Sequence, residues 1–212
     1  TYFINTLILS TFVTIFTSII GILTAWIITN YTFPFRNIFK WALLLPIAVP
    51  TYISAYVLTD LTQFSGTFQN NIRQILHLNE EISVFPNLRS LPGAIFILTF
   101  SLYPYVYFAG RIAFREQSKN LIEASKLLGK NSFTTLTNIY LPLARPALIG
   151  GMMLVLMETI CEFGAVEYCA VDTFVTGIYR TWMGLESQVA ASQLSTLLIF
   201  IIASVFLLES KI

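Results

Sequence analysis

The sequence predicts an all-α fold, a polytopic transmembrane helical bundle, from three observations. Of its 212 residues, 56% are hydrophobic and only 11% are charged, whereas soluble domains carry about 25% charged residues. Five apolar runs are long enough to cross a bilayer. Lys and Arg gather in alternate connecting segments. The formal net charge of +1 gives no footing for a nucleic-acid partner; where the charges lie matters more than their sum. Two cysteines, Cys161 and Cys169, are too few for a disulfide scaffold and read as packing residues. The chain opens on Thr1, with no basic segment before its first apolar run and no small-residue cleavage site after it. That pattern points to a segment of a longer chain. No internal repeat is visible.

Crossing about 30 Å of hydrocarbon takes roughly 20 helical residues. The runs expected to do so are 5–28, 39–59, 92–110, 144–162 and the shorter 193–208. The second contains Pro46 and Pro50, and the third Pro104. Proline breaks a soluble helix, but in a bundle neighbouring groups take up the freed carbonyls. Pro46, Pro50, Pro104, Pro146, Gly150 and Gly151 are therefore read either as sites of bending and close helix approach or as ordinary packing.

Charge sets the expected orientation. Nine of the twelve Lys and Arg fall in 29–40, 111–145 and 209–212, while Arg73, Arg89 and Arg180 share 60–91 and 162–192 with most of the acids. Positive charge stays on the cytoplasmic side, so the N-terminus of the segment is expected outside and the C-terminus in the cytoplasm. The outer loop at 60–91 holds the only histidine, His77, near Glu80 and Glu81. A metal site and a solvated loop are the two readings of that trio, and the solvated loop is the plainer one.

Residues 123–142, EASKLLGKNSFTTLTNIYLP, lie in the most basic of these segments. Leu121, Ile122, Ala124, Leu127 and Leu128 recur at helical spacing. Lys119, Glu123, Lys126 and Lys130 fall on the other side. Gly129 suits a left-handed helix end. Asn131 or Ser132 can cap a second helix, and Pro142 is expected to end it. Two short helices meeting at Gly129 form an elbow able to dock in a groove of another protein. The rival reading is an amphipathic helix lying on the headgroups.

This run resembles the EAA loop of importer-type ABC permeases: Glu-Ala-Ala, three residues, Gly, nine residues, Ile-x-Leu-Pro. The matching positions are Glu123, Ala124, Ser125, Gly129, Ile139, Leu141 and Pro142, with Ser125 in place of the second alanine. The resemblance implies that these residues dock on an ABC ATPase subunit through coupling helices. It also implies a permease (transmembrane) domain over 1–212, one half of a larger or two-half permease in a bacterial inner membrane. The chain carries no Walker A pattern, since Gly129 and Lys130 lack the following Ser/Thr and the upstream glycine. ATP hydrolysis is thus expected on a partner, with no catalytic residue and no cofactor here.

Residues 157–182 read METICEFGAVEYCAVDTFVTGIYRTW. Glu158 and Glu162 stand one helical turn apart near the outer end of a span, followed by Glu167 and Asp172. Acids at a membrane edge often line a path, and carboxylates suit hard cations. Alternatively they sit in the outer aqueous layer. The run also resembles the ferric iron subfamily of these permeases at Glu158, Thr159, Glu162, Phe163, Gly164, and from Thr173 and Phe174 through Thr176, Gly177, Ile178, Tyr179 and Arg180. Glu162 stands where Asp is more usual. The resemblance implies a substrate pathway involving Glu158, Glu162, Tyr179 and Arg180. Its implied partners are a periplasmic ferric-iron-binding protein, a second permease half and membrane lipid. A thiamine or other small-solute permease is the nearest alternative. An ATP-independent channel or secondary transporter, or a membrane scaffold, is the alternative of another class; none of these needs the elbow.

Overall fold

The computed structural model describes residues 1–63, 66–75, 87–118, 123, 125, 127 and 129–209. Among the described residues the chain is helical and has no strand. In order come α1 (Tyr2–Asn30), α2 (Arg36–Ala42), a 3-10 turn (Leu45–Ala48), α3 (Thr51–Thr62), α4 (Thr67–Ile75) and α5 (Leu91–Glu116). Then follow α6 (Ser132–Thr135), a π-turn (Leu136–Tyr140), α7 (Leu141–Cys161), α8 (Gly164–Tyr168), α9 (Phe174–Met183) and α10 (Gln188–Glu209). His77, Glu80 and Glu81 lie outside the described residues.

Among the described residues three helical runs are long and apolar enough to cross a membrane: Tyr2–Asn30, Leu91–Glu116 and Ser132–Cys161. They contain the first and third expected spans and all but the last residue of the fourth. The second expected span, 39–59, is not one helix. Arg36–Ala48 and Thr51–Thr62 qualify only together, as a broken span or a re-entrant loop. The cause is local: Pro46 sits in the 3-10 turn, and Pro50 is extended (φ −54°, ψ 136°) immediately before α3. Proline offers no N–H to the helix ladder and bars the residue before it from helical geometry. α10, Gln188–Glu209, is 22 residues long and carries the fifth expected run, 193–208, a helix length sufficient for about 30 Å of hydrocarbon. Pro104, by contrast, is carried inside α5 without ending it.

The chain forms two compact units. The first comprises 14–48 and 102–156. Its core holds Ala25, Val106, Tyr107, Phe114, Tyr140, Ala144 and Leu148, all nearly or fully buried. The last carbonyls of α1 are covered by Arg36, whose Nε donates to Ile28 O at 2.8 Å and whose Nη2 donates to Thr29 O at 3.1 Å. A cation at a helix C-terminus also answers the helix dipole. α2 is pinned at its far end: the Lys40 carbonyl accepts from Tyr107 Oη at 3.1 Å and from Arg111 Nη1 at 3.4 Å.

The second unit comprises 1–13, 49–101 and 157–212. In it α3 packs on α4 and α8, and α9 packs on α10. The start of α1 is tied to the start of α9. Asn5 Nδ2 donates to Asp172 O at 2.9 Å, and the Thr6 hydroxyl accepts from the Phe174 N–H at 2.9 Å.

The expectation for the glycine pair divides. A Cβ at Gly151 would lie 3.1 Å from Ala109 Cβ and 3.2 Å from Val106 Cα, whereas one at Gly150 would meet nothing within 4 Å. Gly151 is therefore the position where α7 and α5 approach closely. We predict that Gly151→Leu lowers the thermal stability of the purified protein by about 1–3 kcal/mol, the usual cost of overpacking. Gly150→Leu should leave it nearly unchanged. Equal melting shifts in the two variants, followed by fluorescence-detected size exclusion, would contradict the assignment.

Candidate functional site

The elbow belongs to the first unit. Glu123, Ser125 and Leu127 are helical, and the chain leaves that helix at Gly129 with φ +74°. The Lys130 N–H reaches back to Ser125 O at 3.1 Å. This six-residue closure around a left-handed residue is a Schellman turn. A Cβ at Gly129 would meet nothing within 4 Å, so backbone conformation, not space, demands glycine. Asn131 caps the next helix, its Oδ1 accepting from the Thr134 N–H at 2.7 Å.

Ser125 is buried, and its hydroxyl lies 3.0 Å from Thr135 Oγ1. Thr135 Oγ1 also donates to Asn131 O at 3.0 Å. A hydroxyl has one proton, so Ser125 is the donor to Thr135. The serine that departs from the Glu-Ala-Ala pattern thus joins the two limbs of the elbow.

Around this joint, Glu123 is exposed, Leu127 is 89% exposed and Phe133 67% exposed. Leu127 was expected on the apolar, covered face of its helix; it projects outward. Phe133 was not singled out at all, because one aromatic residue in a polar run carries no periodic signal. Ile139 and Leu141 are half-buried and Pro142 is exposed. Ala124 lies outside the described residues.

Pro142 does not end the second limb. The helical run continues from Ser132 to Cys161 through the π-turn, in which the Leu141 N–H bonds Leu136 O five residues back. Pro142 follows directly, at the start of α7, where a missing N–H costs little. The junction is held from α5: Gln117 Nε2 donates to Tyr140 O at 3.0 Å, and Phe114 packs edge-on to Tyr140 at 5.4 Å. Tyr140 Oη donates to Asn30 Oδ1.

The run at 157–182 belongs to the second unit, and its residues prove to be fastenings. α7 ends at Cys161, so Glu162 leaves the helix and does not share a face with Glu158. Glu162 Oε1 accepts from the Ala165 N–H at 2.9 Å, and Oε2 accepts from the Thr51 hydroxyl at 2.8 Å. One carboxylate thereby covers the start of α8 and clamps it to the start of α3. Phe163 packs on Tyr179, with ring centroids 4.8 Å apart. A Cβ at Gly164 would lie 2.8 Å from Tyr52 Cβ, so the third residue of Glu-Phe-Gly lets α8 close on α3.

The Thr173-to-Arg180 motif is similarly structural. The Thr173 N–H donates to Thr176 Oγ1 at 2.8 Å at the start of α9. Arg180 is bonded to Asp172 and lies 3.5 Å from Glu167. The Asp172 bond, with a second to Tyr2, raises the guanidinium pKa further above its ordinary value. Glu158 and Tyr179 are exposed. Among the described residues, no three His, Cys, Asp or Glu side chains are grouped to hold a metal ion. Cys161 and Cys169 are both free thiols. Burial pushes the Cys169 thiol up to about 11, which keeps it protonated and unreactive near neutral pH.

The fold and the elbow together define a multi-pass helical membrane protein of the transport class. The family described as "Binding-protein-dependent transport system inner membrane component" matches residues 17–209, and the chain belongs to it. Its relatives include the sulfate transport system permease protein CysT of Salmonella typhimurium, 30% identical over 156 residues, covering 74% of this chain and 53% of that protein. Another is the Fe(3+)-transport system permease protein FbpB 2 of Haemophilus influenzae, 28% identical over 203 residues, covering 95% of this chain and 36% of that protein. The chain thus spans about half, or less, of the length of these relatives. Among solved structures, a bacterial ABC transporter importing the polysaccharide alginate superposes with a TM-score of 0.75 at 20% identity, covering 98% of this chain and 77% of that one. The MetNI methionine ABC transporter in an inward-facing form gives 0.70 at 17% identity, covering 98% and 90%.

Glu162 yields a sharp test of its role. Gln at 162 can still accept from Ala165 and can donate to the Thr51 hydroxyl, so Glu162→Gln should melt within about 0.5 kcal/mol of wild type. Glu162→Ala loses both bonds and should cost about 1–3 kcal/mol. Equal stability of the Ala variant would remove the clamp assigned here.

Proposed function

We propose that this chain is one half of the translocation unit of an ATP-driven, binding-protein-dependent importer, and that the elbow at 123–142 is its docking element for the ATPase subunit. The observation that carries this reading is the glycine-closed turn at Gly129, which presents Leu127, Phe133 and Glu123 outward from a joint fixed by the Ser125–Thr135 bond. A rigid joint with exposed apolar tips suits a cleft on a partner. It can transmit a push because its limb continues without interruption into α7. Substrate arrives from a periplasmic binding protein. Closure of the motor subunits moves the elbow, and the bundle, completed by a second permease half, alternates between outward and inward access. The same reading places the segment in a bacterial inner membrane, N-terminus outside.

For the solute we propose ferric iron. The resemblance of the 157–182 run and the long match to an Fe(3+)-system permease support it, as does the exposed Glu158 of that run. In this reading the acids favour a cation passing by; they do not form a resident metal site. Sulfate is the second reading, carried by the 30%-identical CysT relative. Against it, the one cation of the run, Arg180, is already engaged by Asp172 and Glu167.

Coupling is tested directly by substitution. Gly129→Val forces a β-branched residue into a left-handed conformation, at roughly 1–2 kcal/mol, and Glu123→Lys reverses an exposed charge. Both variants should insert normally, yet lose uptake and transport-stimulated ATPase activity by tenfold or more, on the order of 1.4 kcal/mol of coupling. Wild-type uptake and ATPase stimulation in both would remove the docking assignment.

Orientation is tested by labelling in a background lacking Cys161 and Cys169. Ser132→Cys should react with an impermeant maleimide only from the cytoplasm, and Glu186→Cys only from outside. Labelling of both from one side would overturn the topology.

For the solute, uptake of labelled ferric iron by the assembled complex should fall several-fold in the Glu158→Gln/Glu162→Gln double variant, with the ATPase subunit still co-purifying. Full uptake in that variant would leave these glutamates purely structural. Saturable uptake of sulfate in place of iron by the wild-type complex would establish the second reading and leave the importer assignment standing.

A further inference from the structure

The first unit contains a cavity of about 260 Å3 whose wall carries four cations: Arg36 and Lys40 from α2, and Arg111 and Arg115 from α5. Thr29 and Asn37 complete its polar lining, and among the described residues no carboxylate contributes to it. Among the described residues none of the four cations is paired with an acid; the ion pairs there belong to Arg180. Like charges sharing one cavity repel, and a cavity of this kind is relieved by an anion. The donors are held in place by the fold. Arg36 is fixed by its bonds to the end of α1, and Arg111 by the Lys40 carbonyl that also anchors α2.

The opposite side of α2 states which anion. Seven residues long, α2 buries none of them. At 100° per residue, Arg36, Asn37 and Lys40 share one arc, the cavity side, and Ile38, Phe39 and Ala42 share the other. Ile38 is 63% exposed and Trp41 67%, and Phe35 just ahead of the helix is 70% exposed. Arg111 lies over the Trp41 ring, 5.9 Å from its centroid. A short helix with basic residues toward a cavity and Trp and Phe outward is suited to the boundary between acyl chains and headgroups. Basic pockets between membrane helices hold anionic headgroups.

We propose that this cavity binds the phosphodiester headgroup of an anionic phospholipid, with the acyl chains lying along the exposed apolar face of α2. At about 30 Å3 per water-sized volume, the space accepts a phosphodiester and a three-carbon alcohol. Arg36 and Arg111 supply planar, fixed donors, and Lys40 and Arg115 supply mobile charge. The site rests on the membrane reading alone and is independent of which solute the complex carries. By fixing α2 to the interface, the bound lipid would steady the wall from which α5 leads toward the elbow.

The test uses the assembled permease–ATPase complex in nanodiscs of phosphatidylcholine containing graded phosphatidylglycerol, with bound lipid counted by native mass spectrometry. Lys40→Gln/Arg115→Gln removes two cations whose side chains form no bond among the described residues; Arg145→Gln, an exposed cation outside the cavity, controls for general surface charge. At about 1 kcal/mol per cation near an anionic surface, the double variant should bind phosphatidylglycerol roughly 30-fold more weakly. Arg145→Gln should bind as wild type, and Lys40→Arg should retain binding. Unchanged phosphatidylglycerol retention in the double variant overturns the proposal, as does an equal loss in Arg145→Gln. Displacement of the lipid by millimolar inorganic phosphate would mark a free-anion site and likewise overturn it. So would loss of the ATPase subunit with lipid retention intact, which would make the cavity a protein contact.

Discussion

A helix end leaves backbone N–H and C=O groups that need partners, and this constraint explains much of the side-chain chemistry in the structure. At several helix ends a specific residue covers the exposed backbone. Arg36 covers the carbonyls at the end of α1, Asn131 the amides at the start of α6, and Glu162 the start of α8. Gln117 reaches the carbonyl of Tyr140 beside the π-turn. Gly129 closes its own helix end by turning left-handed. The polar residues that interrupt so apolar a sequence are therefore mainly caps and clamps. Function has to be sought in what these fastenings leave exposed.

On that criterion the elbow and the 157–182 run differ. In the elbow, the fastened residues (Ser125, Thr135, Asn131) lie at the joint and the free ones (Glu123, Leu127, Phe133) lie outside it. This arrangement, with conformation fixed and side chains left available, is what the proposed docking role requires. In the 157–182 run, the residues that carry the family resemblance are largely consumed by packing. Glu162, Phe163 and Gly164 seat α8, and Arg180 is held by neighbouring acids. Glu158 alone among the expected pathway acids stays exposed without such a task in view. A motif can thus mark a subfamily through its scaffold while leaving the solute to be recognised by fewer groups than the motif contains.

Much of this was legible in the sequence where the signal was local. The left-handed glycine at 129, the cap at 131 and the first, third and fourth apolar spans follow from residue type and periodicity alone. The misses have other causes. Pro46 and Pro50, close together in the chain, break the second span, whereas the single Pro104 is carried inside α5 and Pro142 follows a π-turn. Glu162 has the helical spacing of a pathway partner to Glu158, yet the helix ends one residue before it. No periodicity announces the reach of its carboxylate to Thr51, more than a hundred positions away in the chain. Leu127 fits an apolar stripe in sequence and is exposed in the structure, as either a docked elbow or an interfacial helix would have it.

The central claim is that the elbow's exposed tip is the contact to the ATPase subunit, and proximity tests it most directly. A photo-crosslinking amino acid placed at Leu127, in intact membranes containing the assembled complex, should capture the ATPase subunit in high yield. The same group at Arg145, exposed but outside the elbow, should not. Equal capture from both positions, or none from Leu127 in a complex that transports normally, would contradict the account.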